Sequence, residues 1–356
     1  MTRAIAKPAA NKPSDDPTFF TKALDSVYAI VNSRFLRRRF VFYLVAAFAA
    51  ITLNFLIPRL MPGDPVQLLF ARFQGRLDPR AFEAIKAQFG FVEGPLLEQY
   101  LLYLRSIVTL DFGPSIMGFP IPVTQVIFNS LRWTLMLMGI ASVMSYVIGT
   151  LLGVIAAWRR GNRIDTTLLP IASVLGAFPY FFIALLAVYV LGFQYDIFPT
   201  SHAYDTGISQ DWSSPEYLWS VVYHMLLPLI TIVITSLGGP LLGMRNNMIG
   251  VLSQDYIVMA EAKGLTERRI MLLYAARNAV LPSLTAFAMS FGFLVGGSIL
   301  VEIVFSYPGM GYTLLLAINA RDYPVMQGVF LMITAVVLLA NFLVDVSYVL
   351  LDPRAR

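Results

Sequence analysis

Most metal and nucleophilic sites are built from histidine and cysteine, and this sequence offers only His202 and His224, with no cysteine. Disulfides and thiolate metal sites are therefore excluded, and no second-ligand pattern surrounds either histidine. No glycine-rich loop ending in Gly-Lys is present, so the phosphate cradle of an ATPase is missing. There is no GxSxG elbow. Ser298 follows Gly296-Gly297, but no histidine lies deep in an apolar run to activate it. The chain does carry a surface suited to recognition. Asp255–Pro282 reads DYIVMAEAKGLTERRIMLLYAARNAVLP, an amphipathic stretch between long apolar runs.

The spacing in that stretch predicts two short helices meeting at a glycine. Tyr256, Met259, Ala260 and Lys263 fall at i, i+3, i+4 and i+7 and so share one helical face. Gly264 ends the first helix, because glycine accepts a left-handed backbone without strain. Thr266 is placed to cap the second helix. Glu267 lies in its first turn and Arg277 near its end, as the helix dipole prefers. Pro282 marks the entry to the next apolar run. Such a stretch is either an ordinary solvated loop or a docking platform.

The elements that position it belong to a membrane. The 356 residues are 57% hydrophobic and 13% charged, against roughly 25% charged in soluble domains. The fold class is therefore an all-α polytopic membrane protein. Spans need about 20 apolar residues. Six transmembrane helices are expected, at 40–59, 132–157, 167–193, 218–243, 281–304 and 325–350. Residues 1–39 form an N-terminal extension. Its stripe Phe20, Leu24, Val27, Val31 and Phe35, followed by Arg37-Arg38-Arg39, reads as an interfacial helix, or as a continuation of the first span. Lys and Arg set orientation. They gather before span 1, at Arg159, Arg160 and Arg163, along the 244–280 loop, and in the 351–356 tail. The Gln194–Tyr217 loop holds acidic residues and no Lys or Arg. Both termini and the 244–280 loop are thus expected in the cytoplasm. The net charge of +5 reflects these loops and not nucleic-acid binding.

Residues 60–131 form a long external region with its own structure. Asp78, Pro79 and Gly90 frame a short helix. Pro95 to Leu110 reads as another, with Leu97, Leu101, Leu104 and Val108 on one face. This cap is a docking surface or a structural lid. The core, 132–350, holds five spans. Gly239 and Gly243, and Gly292 and Gly296, are four apart, which suits close helix packing, and Pro240 removes a backbone donor and kinks span 4. Pro240, Gly292, Gly296, Gly297 and Glu302 are the candidate translocation path or gate. Asn341 and Asp345 sit at i and i+4 in span 6 and should face the bundle. Asp345 either pairs with a nearby Arg or serves transport.

The ordered motifs resemble one family. Asp255 through Ala262-Lys263-Gly264-Leu265 to Arg277-Asn278-Ala279 and Leu281-Pro282 is similar to the cytoplasmic motif of the first membrane subunit in the dipeptide/oligopeptide/nickel class of binding-protein-dependent ABC importers. Leu60-Met61-Pro62-Gly63-Asp64-Pro65, Gly296-Gly297 before Val301-Glu302, Pro308-Gly309, Arg321-Asp322-Tyr323-Pro324 and Asp352-Pro353-Arg354 extend the likeness over residues 40–356. Three features depart from it: a longer N-terminal extension, Glu261 where arginine is common, and loosely matching wording around Phe112-Gly113-Pro114-Ser115. The resemblance implies a type I ABC importer permease fold in the bacterial inner membrane, with no ATPase site or cofactor of its own. It implies ATP and Mg bound by two partner ATPase subunits, a second homologous permease subunit, and a periplasmic or lipid-anchored binding protein. It also implies a coupling loop at Asp255, Tyr256, Met259, Ala260, Glu261, Ala262, Lys263, Gly264, Leu265 and Arg268. The implied cargo is small peptides, or within the same class oligosaccharide or a nickel chelate. A passive channel or intramembrane enzyme is the rival reading, and neither needs a docking helix.

Overall fold

The computed structural model describes residues 34–60, 94–290 and 299–351. The expectations for the N-terminal stripe before Arg34, the Asp78–Gly90 helix, Gly292, Gly296, Gly297 and the tail beyond Leu351 lie outside the described residues.

The first half of the chain alternates long and short helices. α1 (Arg34–Leu60) is the first span. α2 (Leu96–Thr109) ends where Leu110 turns left-handed. α3 (Val123–Trp158) starts nine residues before the expected span and follows an extended Pro122. α4 (Arg163–Ala177) is capped by Asn162, whose Oδ1 accepts the Arg163 N–H. α5 (Tyr180–Ala187) runs on as a π-helical stretch, Val188–Gln194.

The span expected at 167–193 is not one rod. α4 and α5 meet at 93°. The cause is Pro179. The residue before a proline is driven out of the helical region, and Phe178 is extended at φ −78°, ψ 135°.

α6 (Pro215–Ser236) and α7 (Gly238–Leu252) together form an apolar path, Pro215–Leu252. The span expected to stop at 243 therefore continues to Leu252. α8 (Asp255–Ala262) follows. α9 (Glu267–Arg269), a π-helical stretch (Ile270–Ala276) and α10 (Arg277–Ser290) join without a break. Arg277 is thus inside a helical path and not near an end, and Pro282 lies within α10. The true loop shrinks from 244–280 to the α8 segment and its short linkers. α11 (Ile299–Val304), α12 (Met310–Ala320) and α13 (Tyr323–Leu351) complete the described chain. Among the described residues five helical paths are long and apolar enough to cross a membrane, or six if the bent α4–α5 pair is one crossing.

α3 threads three packed clusters. Val123 and Ile127 meet Met310, Val325 and Met326. Trp133 and Leu137 meet Tyr217, Val221, Phe305 and Tyr307. Val154 and Ala157 meet Met244, Met248, Ile257, Ala260 and Ile270. α3 and α7 approach at Gly149 and Gly153. A Cβ at Gly149 would lie 2.9 Å from the Leu237 carbonyl oxygen, and one at Gly153 would lie 2.6 Å from that of Leu241. The four-residue glycine spacing that permits close packing thus operates in α3. Gly239 and Gly243 were expected to do this, but a Cβ at either would meet nothing within 4 Å.

Candidate functional site

α8 stands at the end of the bundle where α3, α7 and α9 converge. Ile257 and Ala260, three apart, turn inward and are buried with Met248, Ile270 and Ala275. Asp255, Tyr256, Met259, Glu261, Ala262 and Lys263 are exposed. The expected shared face therefore divides. Tyr256, Met259 and Lys263 point outward, while Ala260 anchors the helix to the bundle.

Gly264, at φ +71°, closes α8. Its N–H donates to the Glu261 carbonyl at 2.8 Å, and the Leu265 N–H donates to the Ala260 carbonyl at 3.3 Å. This paired pattern is the Schellman stop, which requires a left-handed residue after the cap. Leu265 is partly covered by the same cluster as Ala260. Thr266 has the extended backbone of a helix cap, but its side chain makes no capping hydrogen bond. Beside the turn, a hollow of about 1030 Å³ lies between the α3 end and the α8–α9 corner, with Trp158, Arg159, Glu261 and the exposed Arg268 on its walls.

A second hollow lies further along the same helices. It measures about 580 Å³ and is walled by α3, α6, α7 and α10. Its lining includes Ser142, Ser145, Ser236, Ser283, Ser290 and Asn247, together with Gly239, Pro240 and Gly243, and carries no charged side chain. The Tyr146 ring stacks on Phe287 at 4.2 Å along one wall. The Tyr146 hydroxyl is buried and has no hydrogen-bond partner among the described residues. Pro240, expected on the path, is on this wall.

Glu302 lies at the far end from α8 and is fully buried. Its Oε1 accepts the Thr134 hydroxyl at 2.7 Å, and its Oε2 accepts the Gly311 N–H at 2.6 Å. Thr134 Oγ1 in turn accepts the Met310 N–H at 2.8 Å. A Cβ on Gly309 would overlap the Glu302 carboxylate. Glu302 therefore pins the α11–α12 corner to α3. Asp345 makes an ion pair with Arg39 at 3.4 Å and accepts the Tyr43 hydroxyl at 2.7 Å, so α13 is tied to α1. Asn341 is partly buried, one turn earlier in α13.

Sequence reasoning gave no structural role to two buried acids, Asp322 and Asp165. Asp322 accepts the Ser115 hydroxyl at 2.6 Å and the Met117 N–H at 2.8 Å, and it caps α13 through the Val325 N–H at 3.2 Å. An acid just ahead of an apolar run was the available signal. Asp165 accepts two hydrogen bonds from Arg245. Nothing local marked that pair, since the partners are 80 positions apart.

Comparison with known proteins places the sequence in a family. Residues 149–356, which hold α7, α8, α10 and three of the four cavity walls, match the model of the binding-protein-dependent transport system inner membrane component family. The chain is 32% identical to the dipeptide transport system permease protein DppB of Escherichia coli (strain K12) over 328 residues, covering 88% of this chain and 96% of that one. It is 32% identical to the oligopeptide transport system permease protein AppB of Bacillus subtilis (strain 168) over 305 residues, 85% and 92% of the two chains. It is 31% identical to that organism's dipeptide transport system permease protein DppB over 324 residues, 91% and 98%. Apolar helical paths and a matching sequence across nearly the full length of its relatives lead to one assignment: the chain belongs to the binding-protein-dependent transport system inner membrane components, and has the type I permease fold.

Proposed function

We propose that this chain is the membrane-spanning subunit through which an ATP-driven importer passes small peptides. The observation that carries the reading is the cavity of about 580 Å³, whose largely apolar wall is dotted with serine hydroxyls and the Asn247 amide and carries no charged side chain. A peptide main chain is a series of neutral donors and acceptors. The scattered neutral hydroxyls offer partners to that series, and the apolar remainder of the wall takes side chains without selecting a charge. The named activities of the relatives, dipeptide and oligopeptide transport, support the same cargo.

The chain supplies a path, and two partner ATPase subunits bind the ATP and Mg. The outward face of α8 (Tyr256, Met259 and Lys263, with Glu261 and Arg268 nearby) docks to one of them. A second permease subunit completes the path on the open side of Gly239 and Gly243. A periplasmic or lipid-anchored binding protein delivers cargo. The arginines at 37–39, 159–163 and 268–269 support a cytoplasmic position for α8 and for both termini, in the bacterial inner membrane. Closure of the ATPases moves α8. Ile257 and Ala260 pass that motion to α3, α7 and the π-helical stretch ahead of α10, which lead to the cavity walls. The shift reaches only as far as nucleotide affinity differs between the two bundle states.

The test is uptake into proteoliposomes holding the chain with its partner subunits and binding protein. ATP-dependent accumulation of labelled di- and oligopeptides is expected. Uptake without ATP, or uptake restricted to an oligosaccharide or a nickel chelate, overturns the proposal.

A further inference from the structure

α2 does not stand clear of the bundle. It lies antiparallel against the last turns of α1. Arg59 Nε donates to Gln99 Oε1 at 3.2 Å. The Phe55 ring meets those of Tyr100 and Tyr103 at 5.1 and 5.7 Å. Asn54 Nδ2 donates to the Tyr103 hydroxyl at 2.8 Å. Ile51 and Ala47 share a cleft with Ile107 and Leu110. The apolar path of α1 runs from Arg37 to Ile57. At a rise of about 1.5 Å per residue, Ile51 lies about 9 Å inside its end. The C-terminal turn of α2 is therefore level with membrane-spanning residues.

Two further features fit a place beside lipid. Opposite the packed face, Leu97, Leu101 and Val108 form a stripe, with Leu97 69% and Val108 85% exposed. Several polar groups at the end of α2 are also satisfied from within, namely the Ser106 and Thr109 hydroxyls and two of the last four carbonyls. The Tyr103 carbonyl accepts the Ser106 hydroxyl at 2.8 Å, and the Arg105 carbonyl accepts the Thr109 hydroxyl at 3.0 Å. The Ser106 and Ile107 carbonyls accept the Asp111 and Leu110 N–H groups at 3.1 and 3.4 Å. Lipid supplies no partner for such groups, so these internal bonds lower the cost of a place beside it. Glu98, Arg105 and Thr109 form a separate exposed row, and Asp111 beyond the turn is exposed too. A helix sunk in hydrocarbon would not carry them, so they set α2 at the boundary, with charges toward water and leucines toward acyl chains.

We infer that α2 is an interfacial membrane helix. Its Leu97–Leu101–Val108 stripe and, on its packed side, the apolar cleft of about 290 Å³ walled by Ile51, Ile107, Leu331 and Leu338 take phospholipid acyl chains. α2 is then a lipid-held brace on α1 at the Arg59 end of the bundle.

The chain has no native cysteine, so single-cysteine variants report one site each. Leu101→Cys and Val108→Cys on the stripe, and Glu98→Cys on the charged row, are labelled with a small fluorophore in the full chain. The labelled chain is assembled with its partners in phosphatidylcholine vesicles. Quenching by doxyl-labelled phosphatidylcholine should exceed quenching by iodide several-fold at 101 and 108, and the order should reverse at 98. Iodide quenching at 101 and 108 overturns the inference by placing the stripe in water. Protection from both quenchers overturns it by placing a protein partner there.

Discussion

Arg245 grips Asp165 with two parallel hydrogen bonds, Nε to Oδ1 at 2.6 Å and Nη2 to Oδ2 at 2.9 Å. The Gly161 N–H adds a third at 3.0 Å to Oδ2. This fork ties the start of α4 to α7, about two turns before α7 ends at Leu252. Bidentate charge-assisted pairs combine strength with fixed geometry. The side chains touch little water, yet they sit at the end of the bundle beside the exposed Arg159 and Arg160, where solvent screens them in part. Asp165→Asn should cost at most about 1.5–3 kcal/mol, the range for hydrogen bonds to charged groups. Thermal unfolding in detergent reads the loss. A double mutant with Arg245→Met should fall short of the sum of the singles, and simple additivity would show that the two residues do not act as a pair.

α8 has two faces with separable tasks. Ala260 is 2% exposed within a packed cluster, so Ala260→Leu overfills it and should lower stability by about 1–3 kcal/mol. Met259→Ala and Lys263→Glu alter only the outward face. They should leave the melting temperature unchanged while lowering ATP-driven uptake several-fold. Normal uptake with both outward variants would remove α8 from the coupling path.

Gly264 occupies the left-handed region, which costs other residues roughly 1–2 kcal/mol. Gly264→Ala should be mildly impaired, and Gly264→Asn less so. Gly264→Pro forbids the conformation and removes the N–H that bonds the Glu261 carbonyl. The expectation is normal membrane abundance by immunoblot with uptake abolished. Full uptake would mean the corner is not needed for transport.

The features legible in the sequence were those written in neighbouring residues. Gly264 follows a helical face directly, and the leucine stripe of α2 repeats within one helix. The break at Phe178-Pro179 was hidden because hydropathy averages across it, while the backbone responds to the single residue before proline. Two glycine pairs shared one spacing, but only the fold decides that Gly149 and Gly153 face a helix while Gly239 and Gly243 face open space. Arg245 read as a loop charge until α7 proved to extend past it, with its partner 80 positions away. Spacing describes a helix surface, and the partner of that surface comes from the other end of the chain.

Glu302 holds Thr134 and the Gly311 N–H in a site without exposed surface. Glu302→Gln keeps the volume but turns an amide nitrogen toward one of these donors. The mismatch should cost roughly 1–3 kcal/mol. Thr134→Val removes one donor and strands the Met310 N–H, so each variant should lower the melting temperature and loosen the α11–α12 corner. Faster amide hydrogen exchange over residues 305–312 in both variants is the reading to seek. Unchanged exchange would mean that Glu302 does not pin the corner.

The two glycine pairs separate packing from passage. A Cβ at position 153 would sit 2.6 Å from the Leu241 oxygen and 2.9 Å from the Met244 Cβ, and neither backbone nor Cβ can swing aside. Gly153→Ala should push α3 from α7 and destabilise the bundle by about 1–3 kcal/mol. Gly239→Ala and Gly243→Ala meet nothing within 4 Å, so the fold should tolerate both. Both positions nonetheless wall the cavity. Larger residues there, Gly239→Leu or Gly243→Leu, should leave the melting temperature of the chain near its original value while narrowing the passage. Bulky peptides should lose uptake before dipeptides do. Equal loss for all peptide sizes would point to a damaged contact with the second permease subunit, and no loss at all would place the path elsewhere.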